Sequence, residues 1–271
     1  MSGAASKRQI HSLRKKIQFL RSSLRLHYFQ LQPSFFKAKD IKLKNAARKL
    51  SRVRDADVMK DTFHRLKSYF THAIGEEAAA KAEQDLDRYC RNVRRISIKK
   101  TTVSEIEKTI KQVNRQLKKQ ISHTELDLTG IQRSYGKAYR FCRAVDAHSP
   151  GEQFHAWRKS TKYLRYQILI LMQYKLKSLK SHEESLQRLV KLLGENQDFE
   201  VFLTLVTTNA ILGHVSDKTK SSLTHHILDL QTALVRQAIK LGKKIYKYPP
   251  KKYLRKTFGK LSPSQFSVVF V

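Results

Sequence analysis

Two segments of the chain carry the same pattern of basic side chains. Residues 10–21 (IHSLRKKIQFLR) and 154–165 (FHAWRKSTKYLR) align at an offset of 144 positions. The shared residues are His11, Arg14, Lys15, Leu20 and Arg21 in the first segment and His155, Arg158, Lys159, Leu164 and Arg165 in the second. Helical residues three and four apart are neighbours, so in each segment the histidine and the Arg-Lys pair lean toward one region. Such groups donate hydrogen bonds to phosphate oxygens, so the pattern favours anion binding.

The register of the charged residues against the apolar ones predicts where these cations lie. In both segments the cations follow apolar residues by one position, which is about 100° around a helix. This basic stripe consists of His11, Arg14, Gln18, Arg21 and Arg25 in the first helix and of His155, Arg158, Lys162 and Arg165 in the second. Cations beside a core predict a groove between helices, because unpaired buried charge is costly. Alternatively, their stems cover apolar surface while the heads reach water. The repeated register favours the groove. Whether His11 and His155 touch a ligand or are structural stays open.

A second pair of segments repeats at nearly the same offset. Residues 50–58 (LSRVRDADV) align with residues 193–201 (LGENQDFEV) at 143 positions, so that Asp55 matches Asp198. Two repeats at nearly one offset indicate an internal duplication. In a chain with few acids, we expect each Asp to accept hydrogen bonds from a nearby Arg or His and to fix its rotamer. The predicted supporting residues are Arg54, Asp55, Tyr166, Asn196 and Asp198.

Composition indicates the class of partner. The chain has 55 Lys and Arg against 22 Asp and Glu, a formal charge of +33, which predicts a polyanionic partner. Cys90 and Cys142 are too few for a disulfide framework, and the N-terminus lacks the apolar run of a secretory signal. No stretch reaches the length of a membrane span. We therefore expect a soluble, cytoplasmic protein with no membrane association.

The spacing of apolar residues predicts an all-α protein. The series Val103, Ile106, Ile110, Val113, Leu117 and Ile121 steps by three and four, as a buried helical face does. Further helices are predicted over 6–32, 40–73, 77–97, 128–146, 152–178, 183–212 and 217–247. The HSPGE stretch (148–152) precedes the second basic segment and is the best candidate boundary. The predicted units are a first bundle over 1–147, a second over 148–248 and a tail over 249–271.

Motifs for catalysis and metal binding are missing. The sequence has no HxxxH or HExxH pair, no Cys/His cluster, no phosphate-binding glycine loop and no GxSxG nucleophile motif. The prediction is a binding protein with no metal, no cofactor and no enzymatic activity.

The repeated motifs resemble those of the CHAD domain, the conserved-histidine α-helical domain. The resemblance rests on HxxRK in both halves, LRY at 164–166, and the two segments containing Asp55 and Asp198, and it covers about residues 6–247. It implies two pseudo-symmetric antiparallel helical bundles that enclose a basic central channel, and binding of inorganic polyphosphate. The channel residues that it implies are His11, Arg14, Lys15, Arg21, Arg25, His155, Arg158, Lys159, Lys162 and Arg165, and the predicted site also includes Arg48 and Arg52.

Two departures and two alternatives accompany the resemblance. Gln18 stands where the second half has Lys162, and Gln197 stands where the first half has Arg54. With no catalytic partner domain, the chain resembles a stand-alone binding module, and its expected location is the cytoplasm, with polyphosphate granules as a candidate place. Charge alone equally supports a protein that binds nucleic acid non-specifically. A polyphosphate hydrolase is disfavoured because no carboxylates cluster to hold a metal.

Overall fold

The computed structural model describes residues 6–97, 100–122, 128–173 and 177–259. Within these ranges the chain forms ten α-helices, one 3-10 turn and no β-strand, which confirms the predicted all-α class. The helices are α1 (Lys7–Leu26), α2 (Pro33–Lys49), α3 (Ser51–Ile74), α4 (Glu76–Ser97), α5 (Lys100–Ile121), α6 (Thr129–Ala144), α7 (Gly151–Met172), α8 (Lys180–Thr207), α9 (Asp217–Ile245) and α10 (Pro250–Phe258).

Helix α1 shows how sequence specifies these elements. Ser6 caps its first turn, because the side-chain oxygen accepts a hydrogen bond from the backbone N–H of Gln9 at 3.1 Å. Its apolar residues recur every three or four positions and are all buried, namely Ile10, Leu13, Ile17, Leu20 and Leu24. The helix is therefore held by packing along one face, with the basic stripe beside that face.

Two predicted helices have different boundaries in the structure. The segment 40–73 is not one helix, because α2 and α3 are separated at Leu50, whose N–H bonds the carbonyl of Ala47 at 3.2 Å. Helix α2 begins at Pro33, before the predicted start at 40, and the missing N–H of a proline costs nothing in the first turn of a helix. In the predicted segment 6–32 the helix ends at Leu26, and the chain continues as a turn.

Apolar side chains form three clusters. One joins α1, α2 and α5, and a second joins α3 and α4 to α8 and α9, with Phe63 and Phe202 both fully buried in it. The third cluster contains residues of α6, α7, α8, α9 and α10 and includes the fully buried Trp157. The second and third clusters both contain residues from each side of position 148. The division into two bundles at that position stays a prediction.

The C-terminal segment packs onto the body through α10. The ring of Tyr253 stacks on that of Tyr135 with centroids 3.7 Å apart, and its hydroxyl lies 3.0 Å from Nε2 of His182. Phe258 is buried in the same cluster. The apolar end of the predicted tail, 260–271, lies outside the described residues.

Helices α1 and α7, which carry the two repeated basic segments, pack directly against each other. The side-chain amide of Gln167 on α7 approaches the carbonyl of Ser22 on α1 at 3.5 Å, and both residues are buried. The two helices that carry the basic stripes are therefore neighbours. None of the helices in the described ranges is long and apolar enough to cross a membrane.

Candidate anion-binding site

A cavity of about 850 Å³ opens between α1, α3 and α7, and we call it the large cavity. It brings together many of the residues that the repeat singled out. The predicted site residues that line it are His11, Arg14, Lys15, Arg21, Arg54, Asp55, His155, Arg158, Lys162 and Tyr166. Side chains from both repeated segments thus face one space.

The acidic residues at the large cavity are each bound to a cation. Asp61 accepts two hydrogen bonds from Nζ of Lys7 at 2.8 and 2.9 Å. Asp57 accepts from Arg94, and Asp55 accepts from Arg54 at 3.2 Å. Each of these carboxylates already has a cation partner, and of the three only the charge of Asp55 also acts on Arg14 and Arg158.

Three cations lie close together in the inner part of the cavity, namely Arg14, Arg158 and Lys162. Within the described residues, Arg14 and Lys162 have no hydrogen bond or ion pair. Burial, followed by the charge of Arg54, lowers the pKa of Arg14. Burial, followed by the charges of Arg158 and Arg14, lowers the pKa of Lys162 to about 7. Side chains of like charge have been brought together and partly removed from water, and no carboxylate of the described residues forms a direct ion pair with them.

Arg158 is the most constrained member of this group. Its Nη1 donates to Oε1 of Gln197 at 3.0 Å, while its Nε is buried without a partner. Burial, together with the charge of Arg54, lowers its pKa to about 10, so the guanidinium stays charged at neutral pH. Gly194 provides the room, since a Cβ there would lie 3.2 Å from Nε and Nη2 of Arg158. An unpaired buried N–H is costly, so Arg158 is held here at an energetic expense.

The repeated Asp residues meet on one arginine. Arg54 donates from Nη1 to Asp55 and from Nη2 to Oδ1 of Asp198, at 3.5 Å. Burial raises the pKa of Asp198, and the charges of Arg54 and Arg158 oppose that rise. Arg54 therefore joins the two aligned acidic segments beside the large cavity.

Each basic stripe ends in an ion pair with a residue from the next helix. Arg21 binds Asp40 through Nε at 2.8 Å, and Arg165 binds Glu183 through Nε at 2.6 Å. Arg25 also binds Asp40, through Nη1 at 2.9 Å and Nη2 at 3.0 Å. These three predicted ligand residues are thus engaged by carboxylates of the protein itself.

Several predicted site residues do not reach the large cavity. Arg48 and Arg52 are exposed and do not line it. Lys159 faces a different cavity together with Arg25. Asn196 is buried at the contact between α8 and α9, where its carbonyl accepts from Gln231 at 3.0 Å. This position is compatible with the supporting role predicted for Asn196.

The structure adds residues that sequence reasoning missed. Lys7 and Arg8 line the large cavity, and Arg8 has no partner within the described residues. Arg8 precedes His11 by three positions, so extending the basic stripe by one turn would have found it. Both histidines line the cavity and are exposed, and neither is hydrogen-bonded within the described ranges. Among those ranges, no group of three or more His, Cys, Asp or Glu is arranged to hold a metal ion.

Comparison with known families decides the assignment. The family model for the CHAD domain matches residues 2–207, which is about three quarters of the chain. The chain belongs to the CHAD family. CHAD domains are often associated with polyphosphate binding. Comparisons with curated proteins and with solved structures gave no significant match. In this CHAD protein the match ends at the end of α8, so α9 and α10 lie beyond it.

Proposed function

We propose that this CHAD protein binds inorganic polyphosphate in the large cavity and does not hydrolyse it. The observation that carries the proposal is the cluster of Arg14, Arg158 and Lys162, which has no carboxylate partner within the described residues. A chain of phosphates would supply several negative charges to a cavity in which the cluster supplies positive ones.

The proposed contacts differ in kind. Arginine forks bind two phosphate oxygens at once, while the Lys162 ammonium acts as a compact charge. The large cavity is rimmed by Arg8, Lys15 and the two exposed histidines, which would meet the chain where it leaves the protein. Recognition is therefore by charge density and cavity shape, and affinity falls steeply with salt because counter-ions are released.

We also propose that the cavity is part of a basic channel between two related halves. Arg165 follows Arg21 by 144 positions, and Glu183 follows Asp40 by 143. The same ion pair thus forms at matching places in the two repeated stripes. This supports an internal duplication with pseudo-symmetric halves, in which each half contributes one wall.

A binding role without catalysis fits the chemistry of the lining residues. The carboxylates at the large cavity are bound to Lys7, Arg54 and Arg94 and are not grouped around a common point. We place the protein in the cytoplasm, with polyphosphate granules as its site of action. Both statements rest on the proposed ligand.

The alternative is non-specific binding of nucleic acid. Arg25 and Arg133 already cover ring faces of Tyr163 and Tyr28, at 4.0 and 3.7 Å, so bases could not stack on those faces. The test compares binding of long-chain polyphosphate, duplex DNA and single-stranded RNA at about 150 mM salt, with phosphate release followed in parallel. We expect polyphosphate to bind at least about tenfold more tightly, a difference of ~1.4 kcal/mol. Equal affinities would favour the nucleic-acid alternative, and magnesium-dependent phosphate release would overturn the absence of catalysis.

A further inference from the structure

A second cavity, of about 460 Å³, lies on another side of α7, and we call it the α6–α7 cavity. Its cations are Arg25, Arg133, Lys137, Arg140 and Lys159, and no acidic residue lines it. Three of these come from α6, which the repeated basic segments do not include. Arg25 belongs to the basic stripe and Lys159 to the second repeated segment, so this cavity combines two cations of the signature with three that the signature does not include.

The two cavities are distinct spaces. The α7 residues that line the large cavity are His155, Arg158, Lys162 and Tyr166, whereas Ala156, Lys159, Ser160 and Tyr163 line the other. The two sets lie about 100° apart around the helix. No lining residue is shared. The ion pairs of Asp40 lie between them, since Arg21 lines the large cavity and Arg25 the α6–α7 cavity.

Positive charge concentrates around Lys159. Burial, followed by the charges of Arg21, Arg25, Lys44 and Lys137, lowers the pKa of this lysine. None of the cations Lys137, Arg140 and Lys159 has an ion-pair partner within the described residues. Several cations of α3 and α4 do have one, and Lys67, for example, pairs with Glu83. An isolated exposed lysine is simply solvated. A group of cations around one concave space holds a local potential that attracts an anion.

The lining indicates the class of anion. Tyr163 and Phe36 are covered by Arg25, whose Cζ lies 4.0 and 5.6 Å from the two ring centroids. A nucleobase would find these ring faces occupied, so the available chemistry is that of ammonium and guanidinium groups toward oxygen anions. With about 460 Å³ against about 850 Å³, this cavity has room for a shorter anion than the large cavity.

We propose that the α6–α7 cavity is a second binding site, independent of the large cavity, for a short phosphate chain of the size of tripolyphosphate. The choice of phosphate as the ligand rests on the proposed function, whereas the existence of a second anion site rests on this cavity alone. Lys137, Arg140 and Lys159 are its main ligand residues, and Arg133 stands at its edge.

The test is isothermal titration of tripolyphosphate into the full-length protein. We expect two molecules per chain. The variant Lys137→Gln, Arg140→Gln, Lys159→Gln should bind one, and Arg14→Gln with Arg158→Gln should also bind one. A matched control removes two lysines and one arginine from the exposed face of α5, with Lys108→Gln, Lys111→Gln and Arg115→Gln, and should still bind two. The charge-conserving pair Lys137→Arg and Lys159→Arg should keep both sites.

The outcomes separate the two proposals. One bound molecule that is lost only with the Arg14 and Arg158 substitutions overturns the second site and leaves the proposed function intact. One bound molecule that is lost only with the α6–α7 substitutions supports the second site and overturns the large cavity as the binding site. Equal weakening by the α5 control would mean that bulk charge alone attracts the anion, which overturns the second site. The substituted side chains are exposed, so circular dichroism should show unchanged helix content in every variant of this cavity.

Discussion

Arg21 and Arg25 bind the same carboxylate, that of Asp40, although they line different cavities. Arg21 reaches Asp40 through Nε and Nη2 at 2.8 and 3.2 Å, and Arg25 reaches it through Nη1 and Nη2 at 2.9 and 3.0 Å. One acidic residue on α2 thus holds two successive turns of the basic stripe on α1. Asp40 therefore anchors the wall between the large cavity and the α6–α7 cavity.

The first prediction concerns the stability that Asp40 provides. Asp40→Asn leaves two partly buried arginines without their counter-charge, which should lower the free energy of unfolding by about 3 kcal/mol at pH 7. Burial would raise the pKa of Asp40, but the hydrogen bonds from Arg25 and Arg21 hold it well below its ordinary value. Its contribution is thus complete above pH ~4 and is lost as the pH falls through the folded pKa.

Urea unfolding at a series of pH values measures both effects. Wild-type stability should fall more steeply than that of Asp40→Asn as the pH drops below about 4. Asp61→Asn is the control, because Asp61 pairs with Lys7 at the surface, where the side chains are 57% and 59% exposed. It should cost less than about 1 kcal/mol. Parallel pH curves for wild type and Asp40→Asn would contradict the role assigned to Asp40.

The second prediction concerns Lys162 and pH. Its pKa is lowered to about 7, first by burial and then by the neighbouring arginines. Between pH 7 and 10 the unfolded chain holds this proton and the free folded protein does not, so folded stability should rise with pH in that window. A bound phosphate chain would restore the charge, so affinity for polyphosphate should fall by up to about tenfold per pH unit above pH 7.

Titration of polyphosphate at pH 7, 8 and 9 at constant ionic strength tests this linkage. Lys162→Met should flatten the pH dependence of both binding and stability. Lys16→Met removes a charge from an exposed position of α1 and should leave both slopes unchanged. If Lys162→Met retained the wild-type slope for binding, Lys162 would not be the group that titrates.

The large cavity could be predicted in part from the sequence. The register of charge beside apolar residues predicted that Arg14, Arg158 and Lys162 would face one groove, and all three line the large cavity. The counter-charges could not be predicted, because Asp40 and Glu183 come from neighbouring helices and only the packing brings them to Arg21 and Arg165.

The matching of the two halves also has limits. Lys15 and Lys159 occupy equivalent positions in the alignment, yet Lys15 lines the large cavity and Lys159 lines the α6–α7 cavity. One residue is about 100° of helix rotation, so small differences in helix packing move a side chain between cavities. Arg48 and Arg52 are not part of the basic stripe that runs beside the apolar residues, and both are exposed in the structure.

The third prediction concerns α10, which lies beyond the segment that matches the family. Tyr253→Ala removes the ring that stacks on Tyr135 and should lower the free energy of unfolding by about 3–5 kcal/mol. Tyr253→Phe keeps the ring and loses the 3.0 Å contact with His182, so it should cost only about 1 kcal/mol. Urea unfolding measures both, with Lys251→Ala, an exposed position of α10, as the control. Loss of less than about 1 kcal/mol in Tyr253→Ala would mean that α10 does not dock in solution.

The last prediction separates the cluster in the large cavity from bulk charge. Arg14→Gln with Arg158→Gln removes two charges from the inner cavity, and Arg91→Gln with Arg95→Gln removes two from the exposed face of α4. Charge-assisted hydrogen bonds contribute about 1.5 kcal/mol or more each, so the cavity pair should weaken polyphosphate binding by ~100-fold. The α4 pair changes only long-range attraction, which salt screens, and should weaken binding by less than about threefold at 150 mM salt. The cavity pair should also make the plot of log affinity against log salt less steep, by the amount expected for about two lost phosphate contacts. Equal losses of affinity in both variants would instead mean that net charge accounts for binding.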